Sequence, residues 1–188
     1  MLQFEKASIY FEKALHLEPQ NTHILDAQAE VMLELGNPHL AQQYLRQSIK
    51  LDPLSNYAKY MYLSQICENG MEAASLVERA VKLIDTQRRA EMTKDPTSEA
   101  AQELLREQCS ANCTLAEIFL SVAEDAFEKN PDNTSFFEAL DKKAEAAVAA
   151  AFALVPDGFE PLLAIANLRL SQSKIDEAKQ GMTKICQK

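Results

Sequence analysis

KASIYFEKALHLEP, residues 6–19, contains a pattern that returns along the chain. Small or apolar residues stand at Ala7, Phe11 and Ala14, the spacing of one face of a helix. The helix is predicted to end before Pro19, because proline lacks a backbone N–H and disfavours helix in the residue before it. A single amphipathic helix needs a partner to cover its apolar face, so the rest of the chain must supply one.

The same pattern returns 34 residues later. The correspondence pairs Ala7 with Ala41, Phe11 with Leu45, Ala14 with Ser48, and Pro19 with Pro53. A helix–turn–helix unit of this length resembles the tetratricopeptide repeat, in which small residues let two helices cross closely. Strand patterns are hard to find. We therefore predict an all-α, tetratricopeptide-like α-solenoid of helical hairpins with an irregular, extended fourth unit.

The repeat boundaries divide the chain into a half repeat and four further units within one predicted domain, 1–188. The half repeat covers 1–19, and the repeats cover about 22–55, 56–95, 97–156 and 159–188. The first helix of the fourth unit is predicted over about 98–128, capped by Thr97 or Ser98, and about sixteen extra residues are expected between its paired helices. The half repeat leads us to expect either a fragment of a longer protein or a capping helix.

Gly36 and Gly70, one repeat apart, are predicted at the turns between paired helices, where a left-handed conformation suits glycine. The 188 residues, 47% of them hydrophobic, are enough for a buried core. No run of 18 apolar residues occurs. The four cysteines are interpreted as free thiols, mostly buried, because Cys109 and Cys113 stand four apart on one helix, a poor geometry for a disulfide.

The net charge of −9 is uneven along the chain. Twelve acidic and four basic residues lie between 95 and 145, while the rest of the chain is nearly neutral. An acidic surface disfavours nucleic acid and anionic membranes and suits a basic protein or peptide, although simple solubility explains it equally well. We expect no direct nucleic-acid or membrane partner.

No catalytic constellation is found in the sequence. It contains no glycine-rich phosphate loop, no Ser–His–Asp order and no pair of histidines four residues apart. Adjacent carboxylates such as Glu124 and Asp125 point about 100° apart on a helix, which suits a solvated face better than acid–base catalysis. We therefore expect no enzyme, no metal site and no cofactor.

The tetratricopeptide resemblance implies which residues line a groove. In that family the first helix of each repeat lines the concave side through positions 2, 5, 9 and 12. The partner-binding residues carried over in this way are His23, Asp26, Glu30, Tyr57, Tyr60, Ser64, Glu117, Glu160 and Asn167, with Ser110, Cys113, Leu120, Leu163 and Leu170 beside them. These acidic and aromatic groups suit a basic, partly extended segment, although ordinary polar helix faces would have the same composition.

Three stretches suggest a closer resemblance. YAKYMYLSQICENGMEAASLVERAVKLI (57–84), CTLAEIFLSVAEDAFEKN (113–130) and PLLAIANLRLSQSKIDEAK (161–179) are similar to the dedicated assembly chaperones of the fourth large-subunit ribosomal protein. This resemblance implies a chaperone, present in cytoplasm and nucleus, that captures a newly made basic ribosomal protein and escorts it to ribosome assembly. The alternative is a generic tetratricopeptide scaffold or adaptor within a larger complex.

Overall fold

A computed structural model of the chain describes residues 2–173. The described residues form eight helices and no strands, as the sequence predicts. The helices are α1 (Leu2–Leu17), α2 (Thr22–Glu34), α3 (Pro38–Leu51), α4 (Ala58–Gln65), α5 (Gly70–Lys94), α6 (Glu99–Lys129), α7 (Thr134–Leu154) and α8 (Phe159–Ser171). They belong to two compact units: α1 to α4 lie in the first, which ends at residue 68, and α5 to α8 lie in the second, which begins at residue 69.

In the first unit, α2 packs against both α1 and α3, and α3 packs against α4. Asn21 caps α2 through its side-chain oxygen, and Asn37 caps α3 ahead of Pro38 in the first turn. Between these helices Gly36 has a φ of 72°, so the predicted left-handed turn is confirmed. The paired small and large residues at Ala41 and Leu45 are fully buried, as the repeat pattern requires.

One polar contact lies in the core between α1 and α2. The side-chain amide of Gln28 donates to Ser8 Oγ at 3.1 Å, and both residues are buried. Gln28 stands where the repeat pattern favours an apolar residue, and its Oε1 has no hydrogen-bond partner. Ser8 therefore satisfies only part of the polar group that this departure from the pattern buries.

Lys59, on α4, is completely buried. Its ammonium group donates to the backbone oxygen of Asp52, to Ser55 Oγ at 3.0 Å and to Ser48 Oγ at 3.5 Å. Ser48 belongs to the last turn of α3, and Asp52 is the residue that caps this helix. The cation thus sits at the negative end of the helix dipole and joins α3, the 52–57 loop and α4.

The second unit is centred on α6, a continuous helix of 31 residues that contacts α5, α7 and α8. Ser98 is its cap, since its hydroxyl oxygen accepts from Ala101 N at 3.1 Å. The helix begins and ends within a residue of the predicted limits. Its buried face includes Cys109, Ala116 and Phe119.

The extra residues of the fourth repeat lengthen its helices. Only 130–133 separate α6 from α7, and α7 itself has 21 residues. The expectation that the extra residues lie between the paired helices is therefore wrong. Helical periodicity continues on both sides of the Asn130–Asn133 turn, so the helices absorb the added length.

Gly70 differs from its counterpart Gly36. It is the first residue of α5, follows the cap residue Asn69, and does not have a positive φ. A β-carbon added at Gly70 would collide with Cγ2 of Val122 on α6. The prediction of a turn glycine is therefore wrong at Gly70, because this position is fixed by the close approach of two helices.

A polar network joins α5 to α6. The Asp85 carboxylate accepts from Arg88 at 3.1 Å, from Arg89 at 2.8 Å and from the Gln108 amide at 3.3 Å, while Arg88 also donates to Gln108 Oε1 at 2.7 Å. Burial by itself would raise the pKa of Asp85, but these hydrogen bonds outweigh it and hold the pKa below its usual range. Gln108 on α6 bonds to both Asp85 and Arg88 on α5, so the network fixes the two helices in one register.

Candidate partner-binding surface

In the first unit, the predicted partner-binding residues lie on α2, on α4 and at the residue before α4. His23 and Glu30 are exposed and Tyr57 is half-buried. Tyr60 and Ser64 are buried, and their hydroxyls donate within the fold to the backbone oxygens of Pro53 and Met61. Tyr60 therefore ties α4 to the loop before it, whereas the Ser64 hydroxyl is used inside α4. The accessible part of this surface is smaller than the repeat positions suggest.

Asp26 is 7% exposed, and one of its carboxylate oxygens accepts from the Asn56 amide at 3.0 Å. The other oxygen has no hydrogen-bond partner. Glu30 lies one helical turn further along α2. Its side chain is exposed overall, but partial desolvation of the carboxyl and the charge of Asp26 raise the pKa of that carboxyl. The two carboxylates form an electronegative pair that favours a cation over an anion nearby.

In the second unit, α6 and α8 meet along a line that we call the α6–α8 seam. Two cavities of about 480 Å³ each open along it. Ser110 and Glu160 line the first cavity, while Glu117 and Asn167 line the second. The repeat positions predict that these residues share one face, and the structure brings them together although the fourth repeat is irregular.

The second cavity is acidic with apolar walls. Its described lining comprises Glu117, Leu120, Ser121, Glu124, Asn167, Leu170 and Ser171. No lysine or arginine is among these residues. Glu124 is not one of the repeat positions, because those positions assume a first helix of ordinary length. Its spacing of seven residues from Glu117, two helical turns, is the sequence signal that could have revealed it.

The first cavity has a mixed lining. Its described residues are Arg106, Glu107, Cys109, Ser110, Val155, Gly158, Phe159, Glu160 and Pro161. The repeat positions predict an inner face without basic residues, so Arg106 is a cation that they miss. It lies upstream of the first repeat position that was carried over onto α6. Two carboxylates against one guanidinium leave this cavity weakly acidic.

Cys109 and Cys113 lie beneath this seam, and neither they nor Cys67 form a disulfide; Cys186 lies outside the described residues. Cys109 Sγ donates to the backbone oxygen of Ala151 at 3.5 Å. Burial raises the pKa of both thiols, with a further contribution from the nearby Glu160 carboxylate, and the pKa of Cys113 reaches about 12. These thiols pack as small apolar groups.

Thiol alkylation should separate the cysteines. Because the thiolate is the reacting form, we expect Cys109 and Cys113 to be modified at least about 100-fold more slowly than the half-buried Cys67 at neutral pH. Peptide-level mass spectrometry over a time course measures each rate. Unfolding in urea is the control and should bring the three rates together. Equal rates in the native chain would show that the thiols under the seam are not protected.

Neither a metal site nor a membrane-spanning helix is found among the described residues. No group of three or more His, Cys, Asp or Glu residues among them could hold a metal ion. Within residues 2–173, none of the helices combines the length and apolarity that crossing a membrane requires.

Comparison with known proteins identifies the repeat. Residues 24–53, which contain most of α2 and all of α3, match the family model of the tetratricopeptide repeat. This matched segment falls inside the predicted repeat 22–55. The remaining units are not covered by that match, so the evidence for them is the fold itself.

A curated relative covers nearly the whole chain. The "Probable assembly chaperone of rpl4" of Schizosaccharomyces pombe is 27% identical over 190 aligned residues, 97% of this chain. The alignment covers 50% of that relative, so the chain spans about half of its length.

Solved structures show the same fold. The structure "Assembly Chaperone of RpL4 (Acl4) (Residues 1-338)" superposes with a TM-score of 0.81 at 19% identity, over 97% of this chain and 68% of that one. A crystal structure of MamA protein superposes with a TM-score of 0.69 at 18% identity, over 98% and 82% of the respective chains. The chain thus contains a tetratricopeptide repeat at residues 24–53, shares its helical fold with these structures, and is similar in sequence to a probable assembly chaperone of rpl4.

Proposed function

We propose that this chain acts without catalysis as a chaperone for a newly made, basic large-subunit ribosomal protein of the Rpl4 kind. The observation that carries the proposal is the α6–α8 seam, where Glu117, Glu124 and Asn167 surround an open cavity with no basic residue in its described lining. The name of the fission-yeast relative supports the choice of cargo.

The physical reason for such a partner is charge. The RNA-binding surface of a free ribosomal protein carries many lysine and arginine side chains without the rRNA that will neutralise them. Carboxylates attract this surface, speed its capture and shield it from other polyanions. Ribosomal RNA carries a denser negative charge and can displace the chaperone at assembly. Escort of the cargo from cytoplasm to nucleus is part of this proposal.

A binding titration with a purified Rpl4-type ribosomal protein tests the proposal. We expect saturable binding whose affinity falls at least about tenfold between low and moderate salt, because salt screens the attraction between the opposite charges. Glu117→Lys together with Glu124→Lys should weaken binding by at least about thirtyfold, since both carboxylates line the seam. Fluorescence anisotropy measures the dissociation constants.

The matched control reverses Asp125 and Glu128 to lysine. Both residues are exposed on the same helix, the change in net charge is identical, and neither residue lines a cavity of the seam. Equal losses in the two double variants would mean that only net charge matters. A low dissociation constant that changes neither with salt nor in either double variant would favour the alternative, a scaffold held by apolar contacts.

A further inference from the structure

Two cavities of equal volume stand in register on the α6–α8 seam. Residues around Ser110 and Glu160 surround the first, and residues around Glu117 and Asn167 surround the second. From the first cavity to the second, the numbers of the lining residues rise on both helices, so α6 and α8 run in the same direction along the seam. A segment lying along it therefore meets the first cavity and then the second.

The distance between the cavities follows from helix geometry. On α6 the two linings are centred about twelve residues apart, and on α8 about ten. At about 1.5 Å per residue the separation is roughly 15–18 Å. An extended chain advances about 3.3 Å per residue, so about five residues cover this distance. Side chains on one side of a strand are separated by even numbers, which leaves spacings of four or six.

The walls of both cavities suit a long basic side chain. Leu120 and Leu170 in the second cavity, and Val155 and Phe159 in the first, offer apolar surface to a methylene stem. Carboxylates of Glu117 and Glu124, or of Glu107 and Glu160, are available to the charged head. The first cavity should attract a cation less strongly than the second, because the positive charge of Arg106 offsets one of its two negative charges.

We propose that the seam recognises an extended cargo segment through two arginine or lysine side chains four or six residues apart, one entering each cavity. This inference rests on the proposed function, since it names the pattern within a basic cargo that the acidic seam selects. The same geometry disfavours two adjacent basic residues, which can fill only one cavity at a time.

Synthetic peptides with two arginines in a Gly–Ser–Ala background provide the probe. Their composition stays constant while the arginines stand one, two, four, six or ten residues apart. Joining two sites through one ligand raises affinity, so spacings of four and six should bind at least about tenfold tighter than adjacent arginines. Amide NMR titration of the chain, which detects millimolar dissociation constants, measures affinity and location together.

The NMR signals distinguish the outcomes. The four- and six-residue spacings should shift the amides of Ser110 and Glu160 and those of Glu117 and Asn167 with one common dissociation constant. Glu160→Gln or Glu117→Gln should reduce these peptides to the affinity of the adjacent-arginine peptide, whereas Asp125→Asn, which lines neither cavity, should leave the spacing preference intact.

Affinity independent of spacing would overturn the two-cavity inference. If every arginine peptide still bound better than one without arginine, the proposed function would survive this result. Shifts confined to one cavity, or none up to about 5 mM peptide, would likewise reject the inference. The ribosomal-protein titration with its own charge reversals tests the proposed function independently of these peptides.

Discussion

Replacing Lys59 by methionine should lower the free energy of unfolding by about 3 kcal/mol. Methionine retains an unbranched stem but removes the ammonium group that donates to Ser48, Asp52 and Ser55. Burying an ammonium is itself costly, and its removal can be harmless when the partners are made apolar as well. Here the three oxygen acceptors remain, and Ser48 is completely buried, so the loss of their donor should dominate.

Urea unfolding followed by circular dichroism measures this loss. Lys50→Met is the matched control: Lys50 is exposed in the last turn of α3, the helix whose C-terminal end Lys59 contacts, so only its small interaction with the helix dipole should be lost. A loss below about 0.5 kcal/mol for Lys59→Met would mean that the cost of burying the cation cancels its hydrogen bonds.

Gly70→Ala should destabilise the chain by about 2 kcal/mol, although glycine-to-alanine changes in helices usually stabilise. The added methyl group meets Cγ2 of Val122, a β-branched side chain with little freedom to rotate away. Val122→Ala removes the colliding atom and should recover most of the loss caused by the alanine. A double-mutant cycle over these two positions measures that coupling, which should be at least about 1 kcal/mol.

Gly36→Ala is the contrasting control. No atom lies within 4 Å of a β-carbon built there, but the φ of 72° is unfavourable for alanine and should cost about 1 kcal/mol. Val122→Ala should not recover this loss, because its origin is the backbone conformation. Additive effects of Gly70→Ala and Val122→Ala would refute the close approach of α5 and α6 as the reason for glycine at position 70.

The sequence predicted the features that depend on local pattern. Apolar periodicity and the cap predicted at Thr97 or Ser98 placed α6 to within a residue, and the 34-residue period placed Gly36 in its left-handed turn. Repeat register also brought Glu117 and Asn167 to one cavity. All of these follow from spacing along one helix or from a repeat of known length.

The sequence did not predict the features that depend on how deeply a residue is buried or on which helix packs beside it. Periodicity assigns a residue to a face but does not show that the 52–57 loop encloses Lys59, or that Asp26 and Tyr60 are buried beside more exposed residues. Glu124 and Arg106 were missed because α6 is longer than a typical repeat helix. Gly70 shares the period of Gly36, yet its role depends on Val122, more than 50 residues away.

The length of α6 has a consequence for how the second unit unfolds. In a regular repeat array each hairpin contacts only its neighbours, so the ends can fray while the middle persists. Because α6 is 31 residues long and contacts α5, α7 and α8 at once, opening any of the three exposes part of its buried face. Hydrogen exchange of these four helices should therefore be governed by a shared cooperative opening, which keeps the carboxylates of the α6–α8 seam at fixed spacing until the whole group melts.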